Sequence, residues 1–144
     1  MSLLTTHILD TTKGKPASGV SIILYQQKNN SWTELAKGVT NADGRIPDLL
    51  SKDAILETGI YKMKFETKPY FDKDRIASFY PYVEIVFDIT TKEHYHIPLL
   101  LNPFGYSTYR GSWLAVILSF EFKNQTVLCS SPLKKMKKMP FLAN

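Results

Sequence analysis

The chain has 144 residues, 44% of them hydrophobic, 12% aromatic and 22% charged, which describes one globular domain with material for a core and excludes a disordered or collagen-like polymer. A net charge of +5 ordinarily points to nucleic acid or an acidic membrane. Here residues 1–112 hold 13 Lys and Arg against 12 Asp and Glu, while residues 113–144 hold five Lys against Glu121 alone, so the basic character lies in the tail.

In chain order, the first residues carry no basic and apolar leader of the secretory kind, and residues 3–9 read as a strand. Further β-rich runs follow at residues 20–26, 32–40, 59–66, 82–89, 94–101 and 106–111, separated by turn residues, which is the pattern of an all-β sandwich. Lys13-Gly14-Lys15-Pro16, Lys28-Asn29-Asn30-Ser31 and Asn41-Ala42-Asp43-Gly44 are turn chemistry, because Gly and Asn tolerate positive φ and Pro presets the first turn position. Residues 41–51 read as a loop in which Pro47 bars central-strand pairing. In residues 61–66, Tyr61, Met63 and Phe65 alternate with Lys62, Lys64 and Glu66, as on a half-buried antiparallel strand. Residues 69–76 read as a short helix, with Lys68 and Asp72 four apart and Asp72 and Arg75 three apart. The apolar run at 113–120 falls far short of the roughly 20 residues that cross a bilayer as a helix. The single cysteine, Cys129, permits no intrachain disulfide, and a soluble intracellular protein is the expectation.

Only three histidines occur, His7, His94 and His96. Residues i and i+2 of a strand share a face, so His94 and His96 project together and Tyr95 opposes them. A neutral imidazole is a natural general base near pH 7. Taken singly, each is an ordinary surface or core histidine. A His-x-His pair with a third His also fits a zinc site with one open position, although no carboxylate is evident to support the pair. Among three arginines, Arg45 follows the Asp43-Gly44 turn, where its planar fork suits a planar anion. Arg110 stands in Tyr109-Arg110-Gly111-Ser112. No Gly-rich phosphate loop, Gly-x-Ser-x-Gly elbow or nucleophile beside a base is present.

Four blocks go further: residues 4–10 around His7, Thr40-Asn41-Ala42-Asp43-Gly44-Arg45, residues 79–87, and His94-Tyr95-His96-Ile97-Pro98-Leu99-Leu100-Leu101 running through to Tyr109-Arg110-Gly111-Ser112. In this order the chain resembles the 5-hydroxyisourate hydrolase family, the transthyretin-like enzymes of urate breakdown. The resemblance implies a prealbumin-like β-sandwich of two four-stranded sheets with one short helix after the fifth strand, and an eighth short strand near residues 46–50. It implies a homotetramer with sites in a channel between dimers. It assigns His7, Arg45 and His96 to catalysis, and His7, Arg45, Tyr109, Arg110, Gly111 and Ser112 to substrate binding. His94 lies outside that set. No metal or other cofactor, no nucleic acid and no membrane is expected as a partner. The fold also serves carriers of small molecules, so a carrier is the alternative, but carriers lack the His, Arg, His set and the Tyr-Arg-Gly-Ser ending.

The activity so implied is hydrolysis of 5-hydroxyisourate, a planar heterocycle whose lactam is opened by water. His7 and His96 would deprotonate the water and protonate the ring nitrogen. Arg45 would orient the substrate and hold the developing oxyanion, while Arg110 and the Tyr109 and Ser112 hydroxyls fix its polar edge. Family members characteristically stop at this serine. Residues 1–112 are therefore expected to form the hydrolase domain and residues 113–144 an atypical extension, either a membrane-touching addition around Lys134-Lys135-Met136-Lys137-Lys138 or a read-through segment that leaves the product inactive. The sequence ends without a Ser-Lys-Leu type signal, which favours the cytosol over a peroxisome.

Overall fold

The computed structural model describes residues 3–111. Ser112, Cys129 and the expected extension lie outside the described residues. Eight strands and one helix follow in the order β1 (Leu4–Asp10), β2 (Lys15–Pro16), β3 (Ser21–Lys28), β4 (Ser31–Val39), β5 (Gly59–Glu66), α1 (Thr67–Lys73), β6 (Val83–Ile89), β7 (Tyr95–Asn102) and β8 (Gly105–Thr108). They form two four-stranded sheets, β2-β1-β7-β8 and β4-β3-β5-β6. Within them β1 and β7 pair in parallel and every other pair is antiparallel. This is the expected all-β sandwich with one short helix.

Period-2 alternation builds the core. Leu4 and Ile8 of β1, Ile22 and Leu24 of β3, Tyr61, Met63 and Phe65 of β5, and Ile97, Leu99 and Leu101 of β7 all point inward and are buried. Their outward neighbours Thr5, His7 and Leu9 are only half-buried, so β1 presents a polar outer face beside β7. The helix begins two residues earlier than the spacing suggests, and Pro69 sits in its first turn, where its missing N–H costs nothing. Lys68 and Asp72 form the expected i,i+4 ion pair at 3.0 Å. Arg75 instead takes a left-handed φ of 56° and gives its N–H to the Asp72 carbonyl, which ends the helix. Phe71 anchors α1 in the core, a burial that contributes about 2–3 kcal/mol.

The eighth strand is not at residues 46–50. Lys15–Pro16 takes that place, folding back through Gly14 at φ 61° so that Leu9 pairs with Pro16 and Asp10 with Lys15. Beyond this short hairpin the edge of β1 is held by single bonds, from the Ala17 N–H to the Ile8 carbonyl and from the Ile8 N–H to the Gly44 carbonyl, each 3.0 Å. Residues 46–50 form turns and bends, as Pro47 allows. The expected strand at 106–111 is shorter. It ends at Thr108 and returns as one bridge between His96 and Gly111. Pro98 explains the gap. The Tyr95 N–H points toward β1, so by alternation residues 96 and 98 face the β8 side. There Pro98 has no N–H to offer, and its carbonyl accepts the Thr108 hydroxyl at 2.7 Å.

Candidate active site

The parallel register of β1 and β7 sets Thr5 beside His96 and His7 beside Pro98, about 4.8 Å between strand axes. The outer face of this pair therefore gathers residues from two ends of the sequence. Thr5 Oγ1 lies 2.8 Å from His96 Nδ1 and 3.0 Å from His94 Nε2, and the two imidazoles stack at 6.5 Å with their planes 15° apart. His94 and His96 thus project together as expected, although His94 immediately precedes the strand. Tyr95 faces the opposite way, buried, with its hydroxyl accepting the Thr90 and Thr91 N–H groups. The Thr91 hydroxyl, 3.2 Å from the same oxygen, and then these bonds hold its phenol down to about 8.

Gly111 closes over His96 from the far side. Its N–H reaches the His96 carbonyl at 3.0 Å, and a Cβ at this position would lie 2.5 Å from His96 Cδ2. No larger residue leaves the ring where it is.

Arg45 is delivered by the turn before it. The Asn41 carboxamide oxygen accepts the N–H groups of Asp43 (2.9 Å) and Arg45 (3.1 Å), and the Asn41 N–H binds the Arg45 carbonyl at 2.8 Å. Such an Asx turn is self-supporting. It is docked through Gly44, at φ 69°, whose hypothetical Cβ would stand 2.5 Å from the Ile8 carbonyl oxygen. Because Gly44 bonds Ile8, the next residue along β1 from His7, the turn carries Arg45 to the histidine face.

The electrostatics show the same convergence. His96 is 5% exposed, and its pKa is pushed down to about 4, first by burial and then by the positive fields of Arg45, His7 and His94. Burial lowers the pKa of His94 as well. Arg45 is itself lowered by burial, against the opposing pull of Asp43. At neutral pH His96 is an uncharged imidazole with Nδ1 held by Thr5, which leaves Nε2 to meet water or substrate.

Tyr109 and Arg110 are placed differently. Arg110 lies beyond the end of β8, on the Tyr95 side. Its guanidinium lies 5.1 Å from the Tyr95 ring centre and pairs with Glu93 at 3.2 Å. Tyr109 and Arg110 line a separate cavity of about 260 Å³ at the open edge of the sandwich, with Ile85, Phe87, Tyr95 and Ile97. His7, Arg45, His96 and Gly111 are therefore brought together within one chain, and Arg110 is not. Thr5 is the residue that sequence reasoning missed. Its i,i+2 relation to His7 was the available signal. Among the described residues no group of three or more His, Cys, Asp or Glu side chains is placed to hold a metal ion, and none of their helices is long and apolar enough to cross a membrane.

Comparison with known proteins places these features in company. Residues 4–111 match the family described as HIUase/Transthyretin. A probable 5-hydroxyisourate hydrolase of Caenorhabditis elegans is 46% identical over 110 residues, covering 76% of this chain and 81% of that protein. The structure of Klebsiella pneumoniae 5-hydroxyisourate hydrolase superposes with a TM-score of 0.67 at 40% identity, covering 76% of this chain and 98% of that one. Sea bream transthyretin in complex with thyroxine gives 0.72 at 35% identity, covering 76% and 95%.

Proposed function

Since this chain belongs to the HIUase/Transthyretin family, we propose that it hydrolyses 5-hydroxyisourate to 2-oxo-4-hydroxy-4-carboxy-5-ureidoimidazoline, using His7, Arg45 and His96 as its catalytic residues. The observation that carries this reading is the meeting of those three side chains on the outer face of β1 and β7, in a chain whose relatives are named as that hydrolase. The thyroxine-binding relative shares the sandwich, so the choice between enzyme and carrier rests on side chains.

His96 Nε2 takes a proton from water as the oxygen attacks the lactam carbonyl. The carbonyl oxygen becomes an oxyanion, and Arg45 stabilises it as the charge develops. Negative charge there offsets the field of Arg45 on His96 and raises the affinity of the imidazole for its proton at the moment it arrives. Collapse of the tetrahedral species breaks the C–N bond, and the ring nitrogen takes a proton back from the histidine pair. His7, two residues along β1 from Thr5 and on the same face, orients water or completes that return. Gly111 gives His96 its place, while Tyr109, Arg110 and Ser112, which family likeness assigns to the polar edge of the heterocycle, act from a neighbouring protomer, because within one chain Tyr109 and Arg110 line a separate cavity. A homotetramer, in which neighbouring protomers close the face around the histidines, completes the site. The working domain is residues 1–112, the segment 113–144 is an addition to it, and the compartment is the cytosol.

The test is the decay of freshly generated 5-hydroxyisourate with the full chain. Acceleration in proportion to protein concentration is expected. Saturable binding of the compound with decay at the spontaneous rate identifies a carrier instead.

A further inference from the structure

Acid-base catalysis by His96 faces a physical difficulty. The ring is buried and lies beside Arg45 from the 41–45 turn and His7 from β1, and both fields oppose a charge on it. A proton taken on Nε2 needs somewhere better to rest.

The structure offers such a place behind the ring. The Thr5 hydroxyl is within hydrogen-bond distance of Nδ1 of His96 and Nε2 of His94, yet it has one hydrogen to give. When it donates to one imidazole it accepts N–H from the other, so the bridging nitrogens hold opposite protonation states. With His96 protonated on Nδ1, the Thr5 hydrogen points at His94 and Nε2 of His96 is a base. With the hydroxyl turned, His94 donates, and His96 carries its proton on Nε2 as an acid. His94 is more exposed than His96, and only burial lowers its pKa. Glu93, the residue before it, is paired with Arg110 at 3.2 Å.

We propose that Thr5 and His94 form a proton relay behind His96, in which the Thr5 hydroxyl fixes the orientation and tautomer of the catalytic ring and shuttles its Nδ1 proton to and from His94. The balance closes. Water gives H⁺ to His96 Nε2, the Nδ1 proton moves to Thr5 Oγ1, and the Thr5 hydrogen moves to His94 Nε2. Hydroxide is left on the lactam carbon and the positive charge on His94. The reverse sequence returns the proton to the ring nitrogen of the substrate. Thr5 and His94 are positioning residues, since both act through His96. The relay rests on the hydrolase reading above.

The experiment uses the full chain and three variants, Thr5→Val, Thr5→Ser and His94→Gln, each assayed for kcat and KM across pH with 5-hydroxyisourate, together with ¹⁵N NMR of the histidine rings without substrate. Valine keeps the β-branched shape, and loss of the hydroxyl is expected to lower kcat about 10- to 100-fold with KM within about 3-fold. Serine is expected to restore kcat to within about 3-fold. His94→Gln is expected to lower kcat and to remove one ionisation from the kcat profile. NMR of the wild-type protein is expected to show opposite protonation at His94 Nε2 and His96 Nδ1, a correlation lost in Thr5→Val. Unchanged kcat and pH profile in Thr5→Val, or a Thr5→Ser variant as impaired as Thr5→Val, overturns the relay. Absence of turnover in the wild type overturns the hydrolase reading instead, and the NMR correlation then decides the bridge by itself.

Discussion

Gly44 ties the loop that delivers Arg45 to the strand that carries His7, and replacing it by alanine separates the two parts of the site. Two costs arise. A left-handed φ of 69° costs a residue with a Cβ about 1–2 kcal/mol. In addition the new Cβ would stand 2.5 Å from the Ile8 carbonyl oxygen, a backbone atom within the sheet, so the loop must retreat. That breaks the 3.0 Å bond from the Ile8 N–H, and a buried donor left unsatisfied costs about 1–3 kcal/mol. Gly14 supplies the control, since it has φ 61° with nothing within 4 Å of its Cβ position and Gly14→Ala incurs the strain alone. Thermal unfolding followed by circular dichroism is expected to place the Tm of Gly44→Ala roughly 4–20 °C below that of Gly14→Ala. Displacement of Arg45 is expected to reduce 5-hydroxyisourate turnover about 10-fold or more, since misplacement by about 1 Å can cost 100-fold, whereas Gly14→Ala retains full activity. Equal Tm values and equal turnover in the two variants refute the docking argument.

Gly111→Ala tests the seat of His96: the added Cβ would reach to 2.5 Å from His96 Cδ2, so turnover is expected to fall about 100-fold while the Tm drops by only a few degrees, and wild-type kcat in this variant contradicts the placement of the ring. The lowered pKa of His96, about 4 against an ordinary 6.5, makes the unfolded chain the better proton acceptor between those values. Its contribution to stability is therefore full above pH 6.5 and lost as pH falls toward 4, by up to about 3 kcal/mol. Denaturant titrations of wild type and His96→Asn across that window are expected to converge as pH falls, and a constant difference contradicts the shift.

The sandwich was legible because its strands alternate cleanly. Tyr61, Met63 and Phe65 face inward while Lys62, Lys64 and Glu66 face out, and no long helical pattern competes. The short eighth strand was not legible. Two residues, Lys15 and Pro16, carry no periodicity, and their pairing with β1 is decided by a tight turn at Gly14. The proposed catalytic trio was read from scarcity, turn chemistry and family likeness. Thr5 escaped because a threonine in a strand is unremarkable until the parallel pairing of β1 with β7 sets it beside His96, 91 positions away in sequence. Arg110 shows the reverse case. Its motif groups it with Gly111, yet the guanidinium lies with Glu93 and Tyr95 while Gly111 covers His96.

The central claim, that the face shared by His7, Arg45 and His96 performs the hydrolysis, is tested most directly by the steady-state turnover of 5-hydroxyisourate by the full chain and by His96→Asn, with both proteins shown to be equally folded. A loss of about 100-fold or more in kcat is expected if His96 exchanges protons with the reacting atoms. Turnover by the variant within a few-fold of wild type contradicts the claim.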